Sequence, residues 1–243
     1  MKCLTFAKRC TKEILRDPLN LMFGLGFPIV ILLLLSAIQA NIPVELFAIE
    51  SLAPGVTVFG LSFMSLFAAT LVAKDRESSF LQRLYTTPLR PVDFILGYML
   101  PIIPIAIAQS AICYICAIAL GLPVTVNILF ALLALLPIIV FHVALGLLCG
   151  CVLNVKQTGG ICGALLTNLS AFLSGVWFDL SLVGGAFDKI AHLLPFVHAV
   201  ELERAVIAGD FSTLIPNLLP ITAYAIITAT AAVLLFLRQM KRQ

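Results

Sequence analysis

Six long apolar runs, separated by short polar links, organise this chain. They fall at residues 21–40, 53–73, 94–120, 128–153, 159–178 and 217–237. Each is close to the about 20 apolar residues that cross about 30 Å of hydrocarbon at about 1.5 Å per residue. The pattern predicts six membrane-spanning helices. Ahead of them, residues 2–18 set Leu4, Ala7, Ile14 and Leu15 among Lys8, Lys12 and Arg16. That spacing predicts a short amphipathic helix in the headgroup region, its basic side chains reaching water and its end set by Pro18. Pro101 and Pro104 predict a kink or a broken first turn in the third span. Residues 179–216 are too polar and too interrupted to cross.

Composition agrees. Hydrophobic residues make up 61% of the 243 and charged residues 11%, against about 45–50% and about 25% in soluble domains. Mean hydropathy is +1.12. So few charges cannot wet the surface of a soluble globule, and the spans leave no room for a fused ATPase, kinase or DNA-binding module. The net charge of +3 is too small to argue for or against a nucleic-acid partner. Threaded from an inside N-terminus, only Lys189 and Arg204 of the 15 basic residues fall outside. The positive-inside bias therefore predicts cytoplasmic termini. Residues 38–40 resemble a signal-cleavage site, but the basic leader and the run itself are long enough for a retained helix.

Little in the sequence suggests covalent chemistry. The seven cysteines lie mostly in apolar segments, and Cys113-x-x-Cys116 lacks a strand-loop-helix context, so they read as small apolar filler. Phosphate-cradling, zinc-protease and serine-hydrolase motifs are absent. No catalytic residue, metal ligand or cofactor site is expected on this chain. No Asp, Glu, Lys or Arg falls in the middle of a span, which weakens an ion-coupled transport reading. Gln109, His142 and Asn168 are the strongly polar intramembrane side chains, and read as hydrogen-bonded helix contacts. Gly146 with Gly150, and Gly159 with Gly163, form two G-x-x-x-G pairs. Either could pack helices within one subunit or between subunits.

The loop at residues 74–93 carries the most information. Phe80, Leu81, Leu84 and Tyr85 share one face, charges occupy the other, and Pro88 stops the pattern. It reads either as a linker lying on the headgroups or as an amphipathic helix fitting a groove on a cytoplasmic partner.

From Asp75 to Pro88 the sequence D-R-E-S-S-F-L-Q-R-L-Y-T-T-P resembles the E-R-E-x-G-T-L-E-R-L-x-x-T-P signature of ABC-2 type exporter permeases. Ser79-Phe80 stands for the family's Gly-Thr and Gln82 for its second Glu. Residues 15–19 with Phe27-Pro28 are similar to the start of that family's first helix. Residues 173–178 and 194–201, with Arg204 and Gly209, are similar to its fifth-to-sixth connection, although Asp179 stands where Pro is usual.

The resemblance implies an all-α polytopic permease forming a single domain over residues 1–243. It also implies a half-transporter that is not itself an enzyme. Its partners would be membrane lipid, a second permease subunit (identical or different) and two ABC ATPase subunits carrying ATP and Mg, in the inner (plasma) membrane of a prokaryote. Asp75, Arg76, Glu77, Phe80, Leu81, Arg83, Leu84, Tyr85 and Pro88 would couple to the ATPases. Residues 179–216 would form two short re-entrant helices of an external gate, with Trp177, Phe178, Pro195 and His198 as gate residues. By residue type alone, His198 reads as a hydrogen-bonded structural residue, and Trp177 and Phe178 suit an interfacial aromatic belt equally well. The first and fifth helices would line the subunit interface and pathway. The implied activity is ATP-driven export of a hydrophobic or amphipathic substrate such as a drug, lipid or peptide antibiotic. Alternatives are a polysaccharide or lipid-linked glycan permease of the same family, a nucleotide-independent transporter or channel, and a membrane anchor that only recruits a partner.

Overall fold

A computed structural model describes residues 2–78, 80 and 91–241, and among these the regular structure is helical throughout, without strands. Helix α1 is Lys2–Leu15. Helix α2 is Pro18–Gln39, started by Pro18 in its first turn and by the Asp17 carboxylate accepting the Asn20 N–H at 3.3 Å. It carries a π-type stretch at Met22–Gly26. Helix α3 is Ile49–Glu77, α4 is Pro91–Ala119 and α5 is Asn127–Val152. Helix α6 covers residues 155–173 and opens on a capping box between Asn154 and Gln157. Two short helices follow, α7 at Gly185–Leu193 and α8 at Pro195–Ala208. Gly209 closes α8 with a left-handed φ of 75°. Helix α9 is Leu214–Lys241.

Five described helices are long and apolar enough to cross a membrane: α2, α3, α4, α5 and the segment Phe211–Gln239 that contains α9. The expected sixth, residues 159–178, is not among them. Helix stops at Leu173, the opening turn Val155–Thr158 is polar, and Gly159–Leu166 is wound as a π-helix. Even so, α6 runs between the two ends of α3. The Val155 N–H donates to Glu77 at 2.8 Å. Just past the other end, Val176 packs on Gly55, and Trp177 meets Phe59 edge-on at 5.5 Å between ring centres.

Helix α3 is the centre of the bundle: 89% of the residues in its most apolar stretch are buried, against 17% in α2. Close approach to α5 explains this. A Cβ at Gly146 or Gly150 would collide with the Ser65 or Ala69 carbonyl, so the first G-x-x-x-G pair packs α5 onto α3 within one subunit. The second pair does not: Gly159 meets nothing within 4 Å, and Gly163 touches only Leu66, at 3.4 Å.

Two expectations need correction. Helix α1 does not simply float in the headgroups. Phe6, Ala7, Cys10 and Ile14 are buried against the bundle, and the Phe6 ring meets Tyr98 of α4 edge-on at 4.9 Å, whereas Leu4 and Leu15 are 70% and 61% exposed. Phe6 and Cys10 complete a stripe with Ala7 and Ile14, so the helix has a protein-facing side as well as a wet one. Helix α4 is not broken at Pro101 and Pro104, since it continues through both, with Ile102 and Ala106 fully buried in the core.

Candidate functional site

Polar side chains gather at the two ends of α3. At its C-terminal end Asp75 is only 1% exposed. Arg9 of α1 clasps its carboxylate with both guanidinium nitrogens, and the Tyr98 hydroxyl of α4 donates to it at 2.8 Å. Arg9 also reaches Glu13 at 2.6 Å and stacks 4.2 Å above the Phe80 ring. Burial works against the Arg9 charge, but the bonds and charge of Asp75 outweigh it and raise its pKa above the usual arginine range. Next to this pair Lys74 bridges Asp17 at 3.0 Å. The Asp17 carboxyl feels some burial, yet Lys74 and the Asn20 N–H hold it below its ordinary range.

The neighbouring residues grip other helices. Arg76 donates to the carbonyls of Cys151, Val152 and Leu153, the last at 2.6 Å. These include carbonyls at the α5 C-terminus that lack helical partners, and Gln239 of α9 joins them at Cys151. Glu77 holds the start of α6 through the Val155 N–H. Asp75 is buried, Arg76 is half-buried and Glu77 stays exposed, yet each bonds to a different neighbouring segment. Phe80 is partly buried beneath Arg9. Leu81, Arg83, Leu84, Tyr85 and Pro88 lie outside the described residues.

At the opposite end a cavity of about 590 Å³ opens between the α2–α3 link, residues 174–181, α7 and α8. Trp177 and Phe178 line it, as do Asp179, Asp188, His192, Glu201 and Arg204. Arg204 stitches its walls together, donating to the Ser51 carbonyl at 3.1 Å and the Gly175 carbonyl at 2.9 Å. The Asp179 carboxylate accepts the Ser181 N–H at 2.9 Å, which lowers its pKa. His192 stands 3.3 Å from the Asp188 carboxylate and 3.7 Å from that of Glu201. The Asp188 carbonyl and these two charges raise its pKa.

The residues expected at a gate divide. Trp177 and Phe178 face the cavity. Pro195 is buried as the first residue of α8. His198 is one step removed, with Nδ1 2.9 Å from the Asn217 side-chain oxygen and Nε2 2.9 Å from the His192 carbonyl. Beneath them Glu203 of α8 is fully buried. One of its oxygens accepts the Tyr114 hydroxyl at 2.6 Å and the other has no partner among the described residues. Burial pushes this carboxyl up to about 8. Sequence reasoning missed Asp188, His192 and Glu203. A signal for Glu203 existed: with Ala199 and Val206 it sits at i, i+4, i+7, so a carboxyl falls on an apolar stripe.

The polar side chains within these helices bond locally, although Gln109 Oε1 and His142 Nε2 are buried without a partner among the described residues. Gln109 donates to the Cys113 sulfur at 3.3 Å, Asn168 donates to the Ala164 carbonyl at 2.8 Å, and His142 Nδ1 lies 3.0 Å from the Ile138 carbonyl. Each contact is within one helix. Among the described residues no three His, Cys, Asp or Glu side chains converge on a metal position.

A family model described as ABC-2 type transporter matches residues 1–208. A comparison with curated proteins finds no match.

Proposed function

This chain belongs to the ABC-2 type transporter family, as a multi-pass permease subunit of an ABC transporter, and we propose that it exports a hydrophobic or amphipathic substrate using ATP hydrolysed on two separate ATPase subunits. Those partners would hold ATP and Mg.

The observation that carries this reading is the three-way grip at the end of α3. Asp75 holds α1 and α4, Arg76 holds α5, and Glu77 holds α6. A push delivered to the adjoining loop by closing ATPases would reach four segments together. Helix α3 has 29 residues, about 44 Å at about 1.5 Å per residue. Ser51 and Leu52 of its first turn line the far cavity, so the same rod would carry the movement there. The bundle would exchange between two packings, with nucleotide binding favouring one of them.

The arrangement of charges supports a cytoplasmic position for the Arg9–Asp75 end. Both termini would then be cytoplasmic and α6 would be the sixth crossing, since its ends meet both ends of α3. Helices α7 and α8 would be the external re-entrant pair. The apolar faces of α2 and α6, which expose Leu33, Leu34, Leu165 and Phe172, would meet a second permease subunit. The setting would be the inner membrane of a prokaryote.

The test is uptake into inside-out vesicles carrying the permease and its co-expressed ATPase. Uptake that requires ATP, with the ATPase co-purifying, supports export. Equal uptake without nucleotide contradicts it.

A further inference from the structure

The chemistry of the far cavity says more than export alone. Three carboxylates line it, from Asp179, Asp188 and Glu201, and Arg204 is the guanidinium among them. Two of the Arg204 nitrogens are already bonded to the Ser51 and Gly175 carbonyls. His192 lies between Asp188 and Glu201. Even with that imidazole protonated, the carboxylates outnumber the cations on this lining. The rest of the wall sets the rings of Phe47, Trp177 and Phe178 beside Ser51, Ser174 and Ser181. At about 590 Å³ the space falls within the about 300–1,000 Å³ typical of small-molecule sites.

Excess negative charge beside ring faces selects for one kind of ligand. Carboxylates offset a positive charge, and the negative face of an indole or phenyl ring attracts the same charge again. An anion of equal size would meet uncompensated carboxylates on the same surface. We propose that this cavity is an exit-side binding site for a lipophilic organic cation. The site's place in transport rests on the export reading given above, whereas binding itself requires no nucleotide and no ATPase.

Trp177 is the single tryptophan of the chain, so intrinsic tryptophan emission reports on this cavity. Purified full-length permease is titrated with tetraphenylphosphonium and, separately, with tetraphenylborate, bodies of matched shape and opposite charge, each corrected for partition into empty micelles. Tetraphenylphosphonium is expected to change the Trp177 emission saturably, and tetraphenylborate is not. Asp188→Asn and Glu201→Gln change half-exposed side chains, and each is expected to weaken the cation by about fivefold. An unchanged ligand-free Trp177 spectrum in each variant shows that the cavity is intact. Equal responses to the two ions, or wild-type cation affinity in both variants, would overturn the proposal. Vesicle uptake assayed alongside separates the two claims. Cation binding without nucleotide-dependent uptake sinks export and leaves the site standing. ATP-driven uptake without cation binding does the reverse.

Discussion

Tyr114 of α4 and Glu203 of α8, 89 positions apart in the chain, meet through a 2.6 Å hydrogen bond with both side chains buried. The bond ties a short helix beside the cavity to a membrane-spanning one. Because burial lifts the Glu203 carboxyl from 4.5 to about 8, the folded protein binds this proton more tightly than the unfolded chain. The contribution is fully present below about pH 4.5 and is lost as pH rises towards about 8. Glu203→Gln keeps the shape without the titration. Relative to this variant, the wild type should lose about 1.4 kcal/mol per pH unit at most across that window. Thermal unfolding of both proteins at several pH values checks this, and parallel profiles would count against a neutral buried Glu203.

Tyr114→Phe removes the one donor that Glu203 has among the described residues. A buried carboxyl left without partners should cost about 1–3 kcal/mol. Thermal unfolding of this variant below about pH 4.5, where the carboxyl stays neutral in both states, isolates the hydrogen bond from the charge.

At the other end, Arg9→Ala strands the Asp75 carboxylate, which would keep only the Tyr98 hydroxyl among these partners. The loss should approach about 3 kcal/mol, the lower end for a broken buried pair, because the Arg9 side chain is 34% exposed. Replacing both residues by apolar ones of similar volume should restore much of it. A drop in unfolding temperature for the single variant, and its recovery in the double one, is the measurement.

The two glycine pairs give a contrast within one protein. Gly146→Val and Gly150→Val would drive a side chain into the α3 backbone, and each should destabilise by about 1–3 kcal/mol or more. Gly159→Ala meets open space and should leave subunit stability unchanged. Unfolding temperatures measured on the three variants decide the point.

The apolar runs placed α2, α3, α4, α5 and α9 within a few residues, because length and hydropathy are what a membrane demands of a helix. Residues whose position depends on packing were harder to read. Asp75 looked like a solvent-facing loop charge, and only the fold shows Arg9 arriving from 66 positions away to bury it. Glu203 sat in a stretch read as a polar connection. The π-helical windings at Met22–Gly26 and Gly159–Leu166 have no marker in a 3.6-residue pattern. Trp177 and Phe178 stood out in the sequence as aromatic side chains closing an apolar run, and they line the cavity. The carboxylates facing them come from α7 and α8 and are assembled only in three dimensions.

The central claim is that force enters through the loop beyond Glu77 and travels along α3. Substrate moved per ATP hydrolysed tests it most directly, in vesicles holding equal amounts of wild type, Arg83→Glu or Leu84→Asp permease with the ATPase. Hydrolysis that continues while transport per ATP falls at least about tenfold, a difference of about 1.4 kcal/mol in coupling, is the expected result. Unchanged transport per ATP in both variants would contradict the account.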